Sequence, residues 1–544
     1  MQSLNQSSLV ASRWTASIPF CSLPHFVFGA PHENLDSKKL IIDTLRPDDR
    51  SLSLAEYRDL SVRIAVGLRR LGVQPKDRIL CLSGNAIAYP ALLMGTVMAG
   101  CIFVPGQPSY GHSELERLLT LAKPSLILTQ RAHLGVLLEA EGIVSCPALE
   151  RKSIFIFDDD ILDSTGISFL NVPHWQEMVG SLDDSDWKYP NVRSSLDYNS
   201  TIVIMFTSAA LSYMQRVSLH PDWQQSMKGT GKDVNPIRVL GALGMHHILG
   251  QRSYSVIFPK LGVPLYLLCR PSVQDILNAV ETYKISDAII RSSMLTEIVK
   301  LSTCNLGEKL RSLRRVEASA APMGQLGLIT GHDMMACSPS ESVGELHANF
   351  EGKVTDTSEP NRIVCRNTIG DIWIRAPSLS KGYYQNPEAT SEAFGADGWF
   401  STGDVGYVDN HGMWYIVDRK KDLIKVNGNH VAPTELEAVL LRHPKIMDAG
   451  IVGVAVYQDE GPRAYIVTAP ESALSAAEVN NFMVDKIAPY KYLSGGISFI
   501  PSIPRNLSGK IIREQLREMA KMELGYSKGH YHGIRAVPAE LASL

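Results

Sequence analysis

Between Gly398 and Gly428 the chain reads GWFSTGDVGYVDNHGMWYIVDRKKDLIKVNG, and few local structures can accommodate that run. Val405–Val408 and Met413–Val417 are apolar-rich, and Asp409-Asn410-His411-Gly412 between them supplies residues that tolerate φ > 0. The pattern predicts a hairpin. Ahead of it, Ser401-Thr402-Gly403-Asp404 sets a carboxylate in a tight loop, where it can accept hydrogen bonds from vicinal hydroxyls. After it, Asp418-Arg419-Lys420-Lys421-Asp422 alternates charge in a short linker ahead of the apolar Leu423–Val426. A charge run of that length, taken alone, is more often a solvated turn than a site. The ordered segments on both sides make it a candidate boundary between domains.

Composition bounds the rest. A chain of 544 residues should hold more than one domain and can bury a large core. Hydrophobic content of 45% and charged content of 20% fit an ordinary soluble enzyme. A net charge of −3 gives no basic surplus for wrapping a nucleic-acid backbone. The eight cysteines lie far apart without a CxxC pair, which points to a reducing compartment and away from disulfides or a zinc site. No signal peptide is apparent, and no apolar run is long enough to span a bilayer. Ala91–Val104, broken by Gly95 and Gly100, is expected to be a buried helix leading into a strand. The C-terminal Ala542-Ser543-Leu544 lacks the basic middle residue of the peroxisomal address, so a cytoplasmic location is expected ahead of a peroxisomal one.

Helix-like and strand-like signals alternate through the first half, which argues for α/β layering. Ser53 and Glu56 have capping-box spacing, Leu60, Ile64, Leu68 and Leu71 share a helical face, and Gly72 ends the segment. Arg78–Leu82 reads as a buried strand, Ser113–Leu121 and Ser125–Leu128 as a helix–strand pair, and Ile154–Phe157 and Ile202–Phe206 as further strands. Beyond the charged linker, Pro433–Leu441 and Ala477–Ile487 look helical and Ala449–Val456 looks extended. The expected fold is α/β: a large N-terminal region of layered sheets and helices over residues 17–420, then a small mobile C-terminal α/β lobe over 421–544.

Gly370-Asp371-Ile372-Trp373-Ile374-Arg375-Ala376-Pro377, Lys381-Gly382-Tyr383-Tyr384-Gln385-Asn386-Pro387, the Gly398–Gly428 stretch and Pro504-Arg505-Asn506-Leu507-Ser508-Gly509-Lys510 follow in order along the chain. With these motifs the chain resembles the adenylate-forming superfamily of acyl-CoA synthetases, peptide-synthetase adenylation domains and luciferases. It is most similar to the stand-alone 4-coumarate–CoA-ligase-like branch, including the type found in secondary-metabolite pathways. The resemblance implies ATP, Mg²⁺ and CoA as reactants, with a small-molecule carboxylic acid, aromatic or aliphatic, as the substrate. It implies that Asp404 contacts the ribose and Arg419 a further part of the nucleotide, and that Lys510 bridges carboxylate and phosphate as charge develops. It further implies Lys421 as a hinge, Gly428 beside the CoA channel and His247 at the acyl-pocket wall. That pocket is expected around His247, Ser292–Leu295 and Glu317–Ala320, compatible with an apolar tail.

Two motifs depart from the pattern. In the phosphate loop Thr207 and Ser208 fit as nucleotide contacts, but Ala209 and Ser212 replace glycines and Gln215 occupies the lysine position. The segment that should carry a Thr-Glu pair for the α-phosphate and the metal holds Met335 and Ala336, so the metal ligands are unknown; Asp333, Glu341 and Glu345 are the acidic candidates nearby. The spacing from Pro322 to that site is also short, as a deletion or a fault in the gene model would make it. Three readings therefore stay open: an acyl-CoA ligase, a catalytically silent relative that binds a ligand, or an adenylation module loading a carrier protein in trans.

Overall fold

The computed structural model describes residues 7–15, 17, 19–29, 36–139, 147–150, 153–158, 171–179, 199–205, 237–269, 271–301, 306–319, 330–331, 342–377, 379–426, 429–457, 459–469, 472–505 and 511–525. Two compact units divide the chain. One comprises residues 1–12, 320–375 and 395–544, and the other residues 13–319 and 376–394.

The second unit carries two largely parallel sheets. A four-stranded one runs in the order Ile102–Gly106, Arg78–Leu82, Leu126–Thr129, Ile154–Ile156, every neighbour parallel. A six-stranded one runs Arg315–Ser319, Asp287–Arg291, Val239–Gly241, Leu265–Leu267, Lys39–Asp43, Ser51–Ser53, with only the last pair antiparallel. The capping box expected from sequence is present. Ser53 Oγ accepts from Glu56 N at 3.2 Å, and Glu56 Oε2 accepts from Ser53 N at 2.8 Å, opening the helix Leu54–Arg70. Gly72 then takes φ +78°. The apolar run from residue 91 is a buried helix, Tyr89–Met98, followed by the strand Ile102–Gly106. Its Gly95 is a contact residue: a Cβ there would lie 2.7 Å from Ile64 Cγ2 and 2.7 Å from Ser61 O, so this glycine sets how closely the two helices approach.

One expected strand is reduced. Ile202–Phe206 contributes a single parallel bridge, Val203 to Phe103, and Phe206 lies outside the described residues.

The first unit holds a five-stranded sheet in the order Val10–Ala11, Glu351–Thr355, Gly370–Arg375, Phe400–Val408, Trp414–Arg419, antiparallel throughout. The expected hairpin forms its last two strands. The turn after Arg419 contains the junction between residues 420 and 421. Beyond it, Ile446–Val456 and Asp459–Thr468 pair antiparallel and Ile497–Phe499 adds in parallel. The helices Pro433–Leu440 and Ala476–Val484 pack on one side of this small sheet, with Leu436, Leu440, Ile451, Ile466 and Val479 in one buried cluster. Leu516 and Ala520 of the helix Arg513–Glu523 join Val452, Tyr465 and Ile503 in another. Each fully buried Leu or Ile contributes on the order of 1.5–3 kcal/mol.

Candidate functional site

The hairpin Phe400–Val408/Trp414–Arg419 organises the site from its own sequence. Gly403 sits at φ +70°, a conformation costly for a residue with a Cβ. Thr402 Oγ1 donates to Ile372 O at 2.9 Å and accepts from Asp404 N at 3.0 Å, tying the loop to the neighbouring strand. Between Val405 and Gly406 the ladder slips register, and a Cβ at Gly406 would lie 2.0 Å from Tyr415 O. A bulge of this kind bends a strand and re-aims a side chain. Here it follows Asp404, whose Oδ1 meets Arg419 Nε at 2.7 Å across the rung Asp404↔Arg419. The Asp404 side chain has no exposed surface, while Arg419 keeps 24% of its own. The pair thus joins an interior carboxylate to a guanidinium that reaches solvent, an arrangement suited to holding a polar ligand at its open edge.

The neighbouring residues fix this rung from both sides. Lys420 N donates to Gly403 O at 2.9 Å, and its Nζ donates to Asp371 Oδ2 at 2.6 Å. Asp418 Oδ1 accepts from Arg419 N at 2.7 Å, while its Oδ2 accepts from Thr434 N at 3.2 Å and Thr434 Oγ1 at 3.0 Å. Arg419 O accepts from both Asp422 N and Leu423 N, closing a tight turn on which Lys421 is exposed. Asp422 Oδ1 pairs with Arg517 Nη2 at 2.6 Å.

Of the residues singled out from sequence, Asp404 and Arg419 are brought into contact and Lys421 follows two positions on. His247 belongs to the second unit, where it caps the short helix Ile248–Arg252, its Nδ1 accepting from Leu249 N at 3.4 Å. Thr207, Ser208, Gly428 and Lys510 lie outside the described residues, as do Asp333 and Glu341. The segment before Lys510 has described ends: Arg505 bridges Ile511, Ile512 N donates to Pro504 O at 2.9 Å, and Arg505 Nη2 meets Asp448 Oδ1 at 2.8 Å. Glu345 approaches the hairpin at its turn, 4.0 Å from where a Gly412 Cβ would stand, and so lies several rungs from Asp404. Among the described residues no group of three His, Cys, Asp or Glu side chains is placed to hold a metal. Among them, too, no helix is long and apolar enough to cross a membrane. Sequence reasoning missed the supports Thr402, Asp371 and Thr434. Asp371 and Thr402 stood in quoted motifs, and Thr434 carried no signal.

A family model for AMP-binding enzymes matches residues 33–326, and a model for the AMP-binding enzyme C-terminal domain matches 435–510. The chain belongs to the AMP-binding enzyme family. Relatives in this family include a phenylacetyl-CoA ligase of Aspergillus niger, 28% identical over 92% of this chain and 97% of the relative. A nicotinic acid–CoA ligase of Penicillium canescens is 29% identical over 91% of this chain and 97% of its own length. Among solved structures, ATP-bound MatB of Rhodopseudomonas palustris superposes with a TM-score of 0.75 at 20% identity, covering 92% of this chain and 99% of that one. An anthranilate CoA ligase holding anthranoyl-AMP reaches 0.73 at 18% identity, covering 94% and 99%. The family fold, α/β with a C-terminal domain, is therefore the fold of this chain.

Proposed function

We propose that this protein is an ATP-dependent acid–CoA ligase acting on a small aromatic or aliphatic carboxylic acid. The observation that carries the reading is the Asp404–Arg419 rung: a buried carboxylate and a partly open guanidinium at 2.7 Å, in a chain whose relatives are named as acid–CoA ligases. In the reaction, a carboxylate oxygen attacks the α-phosphorus of ATP and pyrophosphate leaves. The CoA thiol then attacks the acyl carbon, forming the thioester and releasing AMP. Such chemistry depends mainly on positioning and charge neutralisation.

In this reading Asp404 accepts from the ribose hydroxyls and Arg419 contacts the nucleotide. Thr207 and Ser208 belong to the phosphate loop, and Lys510 neutralises charge between carboxylate and phosphate. Lys421 is the pivot of the C-terminal lobe, with the domain boundary between residues 420 and 421. Gly428 lines the CoA channel and His247 the acyl pocket. Mg²⁺ arrives with ATP; the described residues offer it no ligand set, and no step is assigned to it. A cytoplasmic location and a place in secondary metabolism accord with this reading.

The test is pyrophosphate release and thioester formation by the full chain with ATP, Mg²⁺, CoA and a panel of acids. Lys510→Ala should lower pyrophosphate release by roughly 10²–10³-fold while ATP binding persists. Adenylate formation untouched by that substitution overturns the assigned mechanism. A folded wild type that binds no ATP is instead the silent relative, and acyl transfer to a carrier thiol but not to CoA identifies the trans-acting module.

A further inference from the structure

The second unit holds a polar cluster that the nucleotide chemistry does not use. The parallel strands Val239–Gly241, Asp287–Arg291 and Arg315–Ser319 lie side by side, Gly241 opposite Ile289 and Arg291 opposite Ser319. In open α/β sheets, ligands bind outside the carboxyl ends of such strands. Arg291 is the last residue of its strand, and His246 and His247 follow shortly after the end of the Val239–Gly241 strand.

The loop that carries His246 is held from several directions. Asn85 Oδ1 accepts from Met245 N at 2.8 Å, and Asn85 Nδ2 donates to Leu243 O at 3.2 Å and to Leu268 O at 2.9 Å. A Cβ at Gly244 would lie 2.3 Å from His246 Cε1, and one at Gly250 would lie 2.5 Å from Gly244 O. Gly244 therefore clears the space in which the imidazole lies, and Gly250 lets the Gly244 backbone approach its helix. Within that fixed setting His246 Nδ1 is buried and, among the described residues, has no hydrogen-bond partner. A buried polar atom left unpaired in a well-pinned loop calls for an explanation, and a ligand that completes it is the direct one.

The charges nearby indicate what kind of ligand. Burial, followed by His247 and Arg291, pushes the His246 imidazole down to about 4. At cellular pH the ring is neutral and offers an N–H or a lone pair at Nδ1 according to its tautomer. Arg291 supplies donors only; one of its arms rests on Met294 Sδ at 3.6 Å. Glu317, on the adjacent strand, acts instead on Tyr254, whose hydroxyl accepts from Leu243 N at 3.2 Å. Of the described groups, Arg291 is the cation that acts on His246, and it brings donors.

We propose that His246 and Arg291 recognise a hydrogen-bond-accepting group on the tail of the acid, so that the substrate is an acid with a ketone, a ring nitrogen or a second carboxylate in that position. This rests on the acid–CoA ligase reading and adds a polar contact to a pocket that the sequence reads as compatible with an apolar tail. A site built to hydrogen-bond a ligand discriminates strongly against the analogue that lacks the group.

Three probes of one shape separate the possibilities: glutarate, the methyl ketone that replaces one of its carboxylates, and the isopropyl hydrocarbon in the same place. Benzoate and a pyridine carboxylate form a ring pair. Calorimetric binding to the full chain needs no turnover. The wild type should bind at least one acceptor-bearing acid about tenfold or more tightly than its hydrocarbon partner, and His246→Phe and Arg291→Met should each erase that preference while near-ultraviolet dichroism reports an intact fold. Preference for glutarate alone identifies a second carboxylate; preference shared with the ketone or the pyridine identifies a neutral acceptor. Equal or tighter binding of the hydrocarbons, binding of none of the acids, or a preference that survives in both variants overturns the proposal. Thioester formation run alongside keeps the two readings apart. Turnover without the preference defeats only this inference, and the preference without turnover defeats only the ligase assignment.

Discussion

Asp404→Asn offers the sharpest test of the site, because the substitution keeps the shape of the side chain and removes its charge. Breaking a fully buried ion pair costs roughly 3–5 kcal/mol, and breaking an exposed one about 0–1 kcal/mol. The Asp404–Arg419 pair has one end with no exposure and the other 24% exposed, so it falls between these limits. A stability loss of about 2 kcal/mol is expected, read as a lower denaturant midpoint without ATP. The effect on nucleotide binding is a separate quantity. Hydrogen bonds to a charged partner contribute about 1 kcal/mol more than neutral ones. Two ribose hydroxyls donating to an amide oxygen in place of a carboxylate should therefore lose about 2 kcal/mol, or roughly a thirtyfold rise in Kd. Calorimetric titration of ATP with Mg²⁺ into wild type and variant, both verified as folded, measures it. An ATP affinity within about twofold of wild type, alongside the loss of stability, would refute the reasoning: Asp404 would then serve the hairpin and not the ribose.

Two further outcomes follow from the same geometry. Thr434→Val removes the hydroxyl that bridges Asp418 Oδ2 at 3.0 Å and Val417 O at 3.2 Å, joining the strand before the proposed pivot to the helix after it. It should cost about 1 kcal/mol and change the ratio of thioester formation to pyrophosphate release; an unchanged ratio means the link does not restrain the lobe. His246, with its ordinary value of 6.5 pushed down to about 4, takes up a proton more readily unfolded than folded, so stability should fall as pH drops from 6.5 towards 4. The loss should approach about 3 kcal/mol, read as the difference in pH dependence of urea unfolding between wild type and His246→Phe; identical profiles would show that the buried imidazole does not titrate as its surroundings require.

What was legible in the sequence is what local chemistry dictates. The hairpin follows from two apolar runs around Asp409–Gly412, and the helix at Leu54 from a capping box whose partners are three residues apart. Ile202–Phe206 carries the apolar signal of a strand, and its described part joins the sheet edge through a bridge to Phe103. Gly95 reads in sequence as an interruption of an apolar run, whereas its role is to admit Ile64 and Ser61. The contacts that fix the Asp404–Arg419 rung were out of reach for a plainer reason. Lys420 finds Asp371 at a separation of 49 residues, and Thr434 finds Asp418 at 16, so neither pair has a spacing that local periodicity can report. His246 illustrates the same limit within one dipeptide. The resemblance points to His247, yet the buried ring nitrogen without a partner among the described residues belongs to its neighbour, which packs against Gly244.

The charged run Asp418–Asp422 is where local and global logic meet. As a turn in solvent its charges would need no partners. Instead Asp418 holds Thr434, Arg419 holds Asp404, Lys420 holds Asp371 and Asp422 holds Arg517, which leaves Lys421 exposed at the turn. Extended backbone makes this division possible, since successive side chains on a strand point to opposite faces. Asp418 and Arg419, the last two residues of the strand, take opposite faces, and Lys420 opens the turn, so the residue proposed to touch the nucleotide is flanked by two that anchor it elsewhere. A register shift of one position would exchange the faces of Asp418 and Arg419 and break both of their pairs. The hydrogen bonds from Asp422 N and Leu423 N to Arg419 O carry the consequence forward: the backbone of Arg419 is also the start of the turn that contains Lys421. A ligand that pulls on the Arg419 guanidinium therefore loads the same peptide units through which the C-terminal lobe is proposed to pivot.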